Sequence, residues 1–345
     1  MADFVSLQAI FKQLVERVSQ IVVGRDEAVE QFLVTVLAGE HLLLEGNPGS
    51  GRTWLTQLLA RSLGLSFRQL GCTSETTAEE LVGLSNVESG PGLPALVPIT
   101  ANVLFVDDIE RLGPRTRAVL DDGLSQNEVV VAGRKFTLAE PFVLVAAKYP
   151  RVDEQAELAF DPRYDRFFCK ISMRFPTYFD EFQFAASART PRDLPDEPLL
   201  TAADLASWRK AVETVEIPPA VTHYVLRLVR ATRVHEGENP DFIYEWVASG
   251  ASPRSARQLI QAARNRAALH GRTAASSADI KALAPALLRH RIVVNANAIT
   301  NGITPDRVIQ RLLYEIPLRV AGDDREPQPG DSLSFDLAAD GEWVE

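Results

Sequence analysis

Apolar positions recur at helical spacing from the start of the chain. Phe4, Val5, Leu7, Ile10, Phe11, Leu14 and Val18 share one face and predict a helix over 4–20. A second helix is expected over about 26–38. The run His41-Leu42-Leu43-Leu44-Glu45 then reads as a strand that ends in a glycine-rich stretch, and a helical pattern covers 53–63. Strand, glycine loop and helix in that order open a parallel α/β unit. Further short apolar runs predict strands at 66–71, 102–107, 141–147 and 167–174. Between the runs at 102–107 and 141–147, two β-rich runs around Ala132-Gly133 predict a hairpin over 128–138.

The pattern then changes. Residues 190–198 hold three prolines and three acids and read as a linker. Helical spacing follows at about 201–214, 218–235, 253–270, 276–288 and 304–313. Thr201 and Ser276, each with an acid three residues on (Asp204 and Asp279), are candidate N-caps. The expected organisation is an α/β unit over 1–190, a helical unit over 191–317, and a polar tail over 318–345 that reads as disordered.

Composition adds limits. The 345 residues carry a formal charge of -10, with 46% hydrophobic and 24% charged positions, which is ordinary for a globular chain. The acidic balance argues against a nucleic-acid binder. Its distribution is uneven: 321–345 holds eight acids and one base, and 253–291 holds eight bases and one acid. These opposite blocks suggest that the tail contacts the basic helices, although a solvated face or subunit contact is the simpler reading of the latter. Cys72 and Cys169 are the only cysteines, too few for a disulfide scaffold, and fit a reducing compartment. Charges among the first thirty residues leave no signal-peptide core, and no long uncharged apolar run predicts a membrane span. A cytoplasmic protein is expected. The five histidines show no ligand spacing, so no zinc site is expected.

The chemistry gathers in two places. Gly46-Asn47-Pro48-Gly49-Ser50-Gly51-Arg52-Thr53 fits G-x-x-x-x-G-K-[ST] everywhere except the lysine. Such a loop wraps phosphate in backbone N–H groups and points a helix N-terminus at it. Gly46, Asn47, Gly49, Ser50, Gly51 and Arg52 are the candidate phosphate-binding residues, with Thr53 on Mg²⁺. Arginine keeps the lysine's charge but is longer, planar and forked, so the exchange is not conservative. The second place is Val103-Leu104-Phe105-Val106-Asp107-Asp108. A buried strand ending in two acids delivers carboxylates to the sheet edge where ligands bind. Asp107 is the second candidate Mg²⁺ ligand, and Asp108 stands where a base orients the attacking water.

These features resemble a MoxR-type AAA+ ATPase, from about residue 14 to 317. The likeness includes Gly24-Arg25-Asp26, similar to the family's turn near the adenine, and Ile99-Thr100-Ala101-Asn102 before the acidic strand. It includes the 129–138 hairpin, Asp165-Arg166-Phe167, Gly250-Ala251-Ser252-Pro253-Arg254, and the segment from Ala282 to Ile292. The resemblance implies a P-loop AAA+ parallel sheet with a C-terminal helical lid, binding ATP or ADP with Mg²⁺. It also implies a homo-oligomeric ring, usually a hexamer, with nucleotide between subunits. Arg166 would be the finger that reaches a neighbour's γ-phosphate, and Arg254 the lid arginine called sensor 2. The implied role is chaperone-like remodelling or activation of protein clients, often with a von Willebrand A-domain partner.

Three positions depart from the family pattern. Arg52 replaces its lysine, Asp108 its glutamate, and Tyr149 its sensor-1 asparagine. A phenol cannot copy an amide's donor and acceptor, and loss of one stabilising donor can cost ~2–4 kcal/mol in the transition state. The expected protein therefore binds nucleotide and hydrolyses it slowly. A catalytically inactive nucleotide-binding scaffold is the alternative, and a DNA-acting motor the third reading.

Overall fold

In a computed structural model of the chain, the residues described are 4–83, 98–150, 162–187, 197–234 and 239–317. Two helices, α1 (Phe4–Ser19) and α2 (Asp26–Ala38), precede β1 (Leu42–Gly46). The α/β layer continues with α3 (Arg52–Ser62), β2 (Phe67–Gly71), α4 (Ala78–Leu81), β3 (Val103–Asp107) and α5 (Pro114–Gln126). The hairpin β4 (Glu128–Val131) and β5 (Arg134–Thr137) follows, then β6 (Val143–Lys148), β7 (Cys169–Met173) and α6 (Tyr178–Ala186).

One five-stranded sheet carries the order β2-β3-β6-β1-β7, and every pairing in it is parallel. Its central strands β1, β3 and β6 are buried on both faces, as a covered parallel sheet requires, whereas the edge strand β2 exposes Arg68 and Gln69. Leu42, Leu43, Leu44, Phe105, Val106 and Val145 are fully buried. One charged group interrupts this core: Glu45 Oε1 and Oε2 each lie 2.7 Å from a lysine, Lys148 and Lys170. Burial alone would raise the Glu45 pKa; Lys170 and Lys148 outweigh it and hold the carboxylate below its usual range.

The helical part comprises α7 (Ala202–Val212), α8 (Pro219–Arg230), α9 (Asp241–Trp246), α10 (Pro253–Leu269), α11 (Ser277–Leu288), α12 (Ala296–Thr300) and α13 (Pro305–Glu315). A small ribbon joins β8 (Val247–Ser249) to β9 (Val293–Val294). Ala262, Ala263, Ala267 and Ala268 are buried along α10, and such small side chains allow close helix contact. This helix lies along α2. Asn265 Nδ2 donates to the Val34 carbonyl at 2.9 Å, Gln261 Nε2 to that of Ala38 at 3.1 Å, and Arg266 pairs with Glu30 at 3.2 Å. Thr201 and Ser276 close capping boxes with Asp204 and Asp279.

The basic stretch over 253–291 is not a free positive surface. Arg254 and Arg291 pair with Asp165, Arg266 and Arg272 with Asp279, and Arg289 with Asp306. The acidic tail lies outside the described residues, as do most of 190–198.

Two partly buried imidazoles, His41 and His290, sit at the N-terminal edge of the sheet, before β1 and beside the start of β7. Burial and the nearby Arg166 push His41 down to about 4. Burial and Arg291 hold His290 well below its usual value. Each bonds as a neutral ring: the Leu144 N–H donates to His41 Nδ1 at 3.3 Å, and His290 Nε2 donates to the Phe167 carbonyl at 3.0 Å. Unfolded histidines take up protons near pH ~6.5. Below that, the unfolded chain binds protons that the folded one refuses, so stability falls with pH. Thermal unfolding should therefore show a melting temperature that drops between pH ~7 and ~5, and His41→Gln should flatten that slope. A slope unchanged in His41→Gln would remove His41 from this account.

Candidate functional site

The order of the sheet brings the two predicted chemical segments together. β1 lies beside β6, and β6 beside β3, so Gly46, Lys148 and Asp107 end side by side at the C-terminal edge. Ligands of open parallel sheets bind there.

The loop after β1 has the shape of a phosphate cradle. Gly49 and Gly51 hold φ of 82° and 87°, and a Cβ at Gly49 would meet open space. Gly51 is the N-cap of α3, and Arg52 and Thr53 are its first two residues. A Cβ on Gly46 would press within 2.7 Å of Ser50 Oγ and 2.8 Å of the Met173 carbonyl. Ser50 Oγ is buried without a hydrogen-bond partner, and Asn47 lies exposed at the mouth. These residues fit an anion.

Arg52 does not stand free in that cradle. Its side chain is 7% exposed and turns across the sheet edge. Nη1 donates to the Lys148 carbonyl at 2.7 Å, and Nη2 lies 3.6 Å from Asp107 Oδ1. The guanidinium carbon sits 4.5 Å from the centre of the Tyr149 ring, a cation–π contact. Two of the three departures from the family pattern therefore touch each other.

The third, Asp108, takes a left-handed backbone with φ of 54°, and its Oδ2 lies 3.5 Å from Arg111 Nε. Asp107 Oδ1 is buried and makes no hydrogen bond; the cation facing it is the Arg52 guanidinium. As these side chains stand, Asp107 does not fit the expected Mg²⁺, because a cation already faces its carboxylate oxygen. Beside them, burial first and then the two aspartates push the Cys72 thiol up to about 12, which leaves it inert.

The predicted arginines stand elsewhere. Arg166 Nη1 donates to the Asp121 carbonyl at 2.8 Å and lies 3.3 Å from its Oδ1, on α5. Arg254, at the start of α10, pairs with Asp165 at 3.4 Å and is more than half exposed. Asp165 and Arg166 come just before β7, whereas the phosphate loop follows the other end of its parallel neighbour β1. Five residues at ~3.3 Å each separate the two edges by ~16 Å. In one chain, then, Arg254 and Arg166 share an edge with each other and not with the P-loop.

Gly24 begins the turn into α2, with φ of 69°. It packs under α6, where a Cβ would fall 2.5 Å from Asp180 Oδ2. Arg25 Nη2 ties the same turn to the Arg174 carbonyl at 2.6 Å. Helix α6 is a feature the periodicity did not predict. None of its residues is buried, and Tyr178, Phe179, Phe182 and Phe184 are exposed. Phe184 lies 6.5 Å from the half-exposed Trp54 of α3. Its available sequence signal was the Thr177–Asp180 capping box.

Among the described residues, no helix is long and apolar enough to cross a membrane. Among the described residues, too, no group of three His, Cys, Asp or Glu side chains stands ready for a metal ion.

Comparison with known proteins gives the same picture. The family model described as ATPase family associated with various cellular activities (AAA) matches residues 41–169, and the AAA lid domain matches 245–312. Chaperone MoxR1 of Mycobacterium tuberculosis is 31% identical over 319 residues, spanning 92% of this chain and 84% of its own. Protein MoxR of Methylorubrum extorquens is 29% identical over 80% of this chain and 85% of its own. A crystal structure of a protein from Cytophaga hutchinsonii superposes with a TM-score of 0.79 at 22% identity, covering 92% of this chain and 97% of the other. With the parallel sheet, the P-loop geometry and the helical lid in place, the chain belongs to the MoxR-type AAA+ ATPases.

Proposed function

We propose that this protein binds ATP or ADP at the Gly46–Thr53 loop, assembles into a ring, and acts on partner proteins as a chaperone-like remodeller with slow ATP hydrolysis. The observation that carries the slow turnover is Arg52, whose cation is committed to Asp107, Tyr149 and the Lys148 carbonyl. A charge held there is not placed between terminal phosphates, where a lysine stabilises the transition state. Asp108 is shorter than glutamate and leans toward Arg111, so its hold on an attacking water is weakened.

The placement of Arg166 and Arg254 supports a site completed between subunits. Their edge lies ~16 Å along β1 from the chain's own loop, so they serve a neighbour's nucleotide. The protein-client role rests on kinship with a relative named a chaperone, and a hexamer and a von Willebrand A-domain partner rest on the family alone.

Calorimetric titration with ATP and steady-state phosphate release test this reading. Wild type should bind with little turnover. Arg52→Lys should bind and turn over faster. Rapid wild-type hydrolysis would refute the slow site, and absence of binding in both would refute the nucleotide. Binding with no turnover in either form would favour the scaffold.

A further inference from the structure

The acids at the end of β3 are each matched by an arginine. Asp107 faces Arg52 and Asp108 faces Arg111. The Arg52 guanidinium is fixed from three directions. Its own backbone starts α3, its Nη1 is bonded to the end of β6, and its carbon sits over the Tyr149 ring, 4.5 Å from the ring centre. A divalent ion at Asp107 would bring two positive charges to an oxygen that already faces one, inside a partly buried site where such repulsion is weakly screened. A guanidinium, unlike an ammonium, stays charged when buried and is weakly hydrated, so it can stand beside the Asp107 carboxylate where a metal ion would sit. Tyrosine at 149 suits this arrangement, because an aromatic face holds a planar cation and an asparagine amide offers none.

We propose that the Arg52 guanidinium, held by Asp107 and Tyr149, replaces the divalent cation at this site, so that the loop takes a nucleoside di- or triphosphate in its metal-free form. The inference rests on the nucleotide-binding reading above and deepens it. Asp107 then has a different job from the one its sequence position suggests: it anchors the guanidinium and ligates no metal. It also links two substitutions that look independent in the sequence, since Arg52 needs the Tyr149 ring to keep its plane across the sheet edge.

The test is the affinity of the full-length protein for ADP and for ATP, measured by calorimetry in excess MgCl₂ and in excess EDTA. Mg²⁺ competes with the protein for the phosphates, so wild-type affinity should be no tighter in MgCl₂ than in EDTA, and for ATP weaker by ~10-fold or more. Adding wild-type protein to Mn²⁺ and ADP should raise the free Mn²⁺ signal in electron paramagnetic resonance above its value with ADP alone, because the protein withdraws metal-free ADP; a fall in that signal overturns the proposal. In Arg52→Lys, the metal should tighten ATP binding by ~10-fold or more. Where the lysine variant does not fold, Tyr149→Asn, which leaves α3 unaltered, should shift the protein toward the same metal dependence.

Wild-type affinity that falls ~10-fold or more in EDTA overturns the proposal and leaves nucleotide binding intact. A preference for metal-free nucleotide that persists in both folded variants overturns it too, since its source is then not the guanidinium. Absence of binding in either buffer, with a normal melting transition, removes the nucleotide-binding reading and this inference together.

Discussion

Arg52→Lys, Asp108→Glu and Tyr149→Asn combined should raise steady-state ATP hydrolysis by ~10²–10³-fold over wild type, and only with Mg²⁺ present. Each change acts on a distinct contact. Lysine at 52 cannot bond the Lys148 carbonyl and stack on Tyr149 as the forked guanidinium does, so its charge becomes available to phosphate and Asp107 to metal. Asparagine at 149 removes the ring and adds an amide donor. Glutamate at 108 extends the carboxylate by one methylene but must accept the left-handed backbone at φ of 54°, which aspartate tolerates better. The single Asp108→Glu change should therefore gain little. Groups that act together on one transition state are not additive, so the triple variant should exceed the product of the singles. Phosphate release followed at concentrations where the chain assembles gives the measurement. A triple variant no faster than wild type would mean that these residues do not limit turnover.

Much of this architecture can be read from the sequence, because it depends on local pattern. The five sheet strands are short apolar runs bounded by polar residues, and each lies within about two residues of its expected span. Thr201 with Asp204 and Ser276 with Asp279 form the reciprocal caps that their spacing predicts. Helix α6 was missed because its aromatic residues face solvent, so no buried stripe gives it a period. Strand β9, two residues long, carries too little pattern to identify.

The site divides along the same line. Which residue types surround the phosphate loop is legible, since the loop, the acidic strand end and the three departures are all sequence features. Where the cation of Arg52 points is not. It depends on the register that puts Lys148 beside Glu45, a contact 96 residues away in the chain. The same holds for the basic stretch over 253–291. Its charge is plain in the sequence, but its partners Glu30, Asp165 and Asp306 are brought there only by the packing of α10 and α11. Likewise, only the placement of α10 along α2 shows that Arg254 stands beside Asp165, away from its own loop.

Asp279→Ala should destabilise the fold by about 3–5 kcal/mol, the usual result of removing one partner from a buried charge cluster. Asp279 is fully buried. Its Oδ1 receives Arg266 Nη1 at 2.9 Å, and its Oδ2 receives Arg272 Nη1 and the Ser276 N–H, each at 2.8 Å. Burial alone would raise its pKa; hydrogen bonds from Arg272, the Ser276 backbone and Arg266 win and hold it below the usual range. Alanine removes all of these at once. It leaves Arg266 and Arg272 without their shared anion, removes the Asp279 half of the capping box of α11, and leaves Arg266 held by Glu30 on α2 alone. The damage therefore spreads from the lid helices to the contact between lid and α/β sheet. At ~2 °C or more per kcal/mol for a chain of this size, the melting temperature should fall by ~6–15 °C. Asp279→Asn keeps the shape and some of the acceptor capacity but loses the charge, so its loss should be smaller. Arg272→Ala should cost less than Asp279→Ala, because Arg272 is partly exposed and the aspartate keeps Arg266 and Ser276. Equal melting temperatures for wild type and Asp279→Ala would show that the cluster does not hold the lid. If the lid positions Arg254 for a neighbouring subunit, the same variant should also weaken assembly at temperatures below its melting transition, which sedimentation would detect.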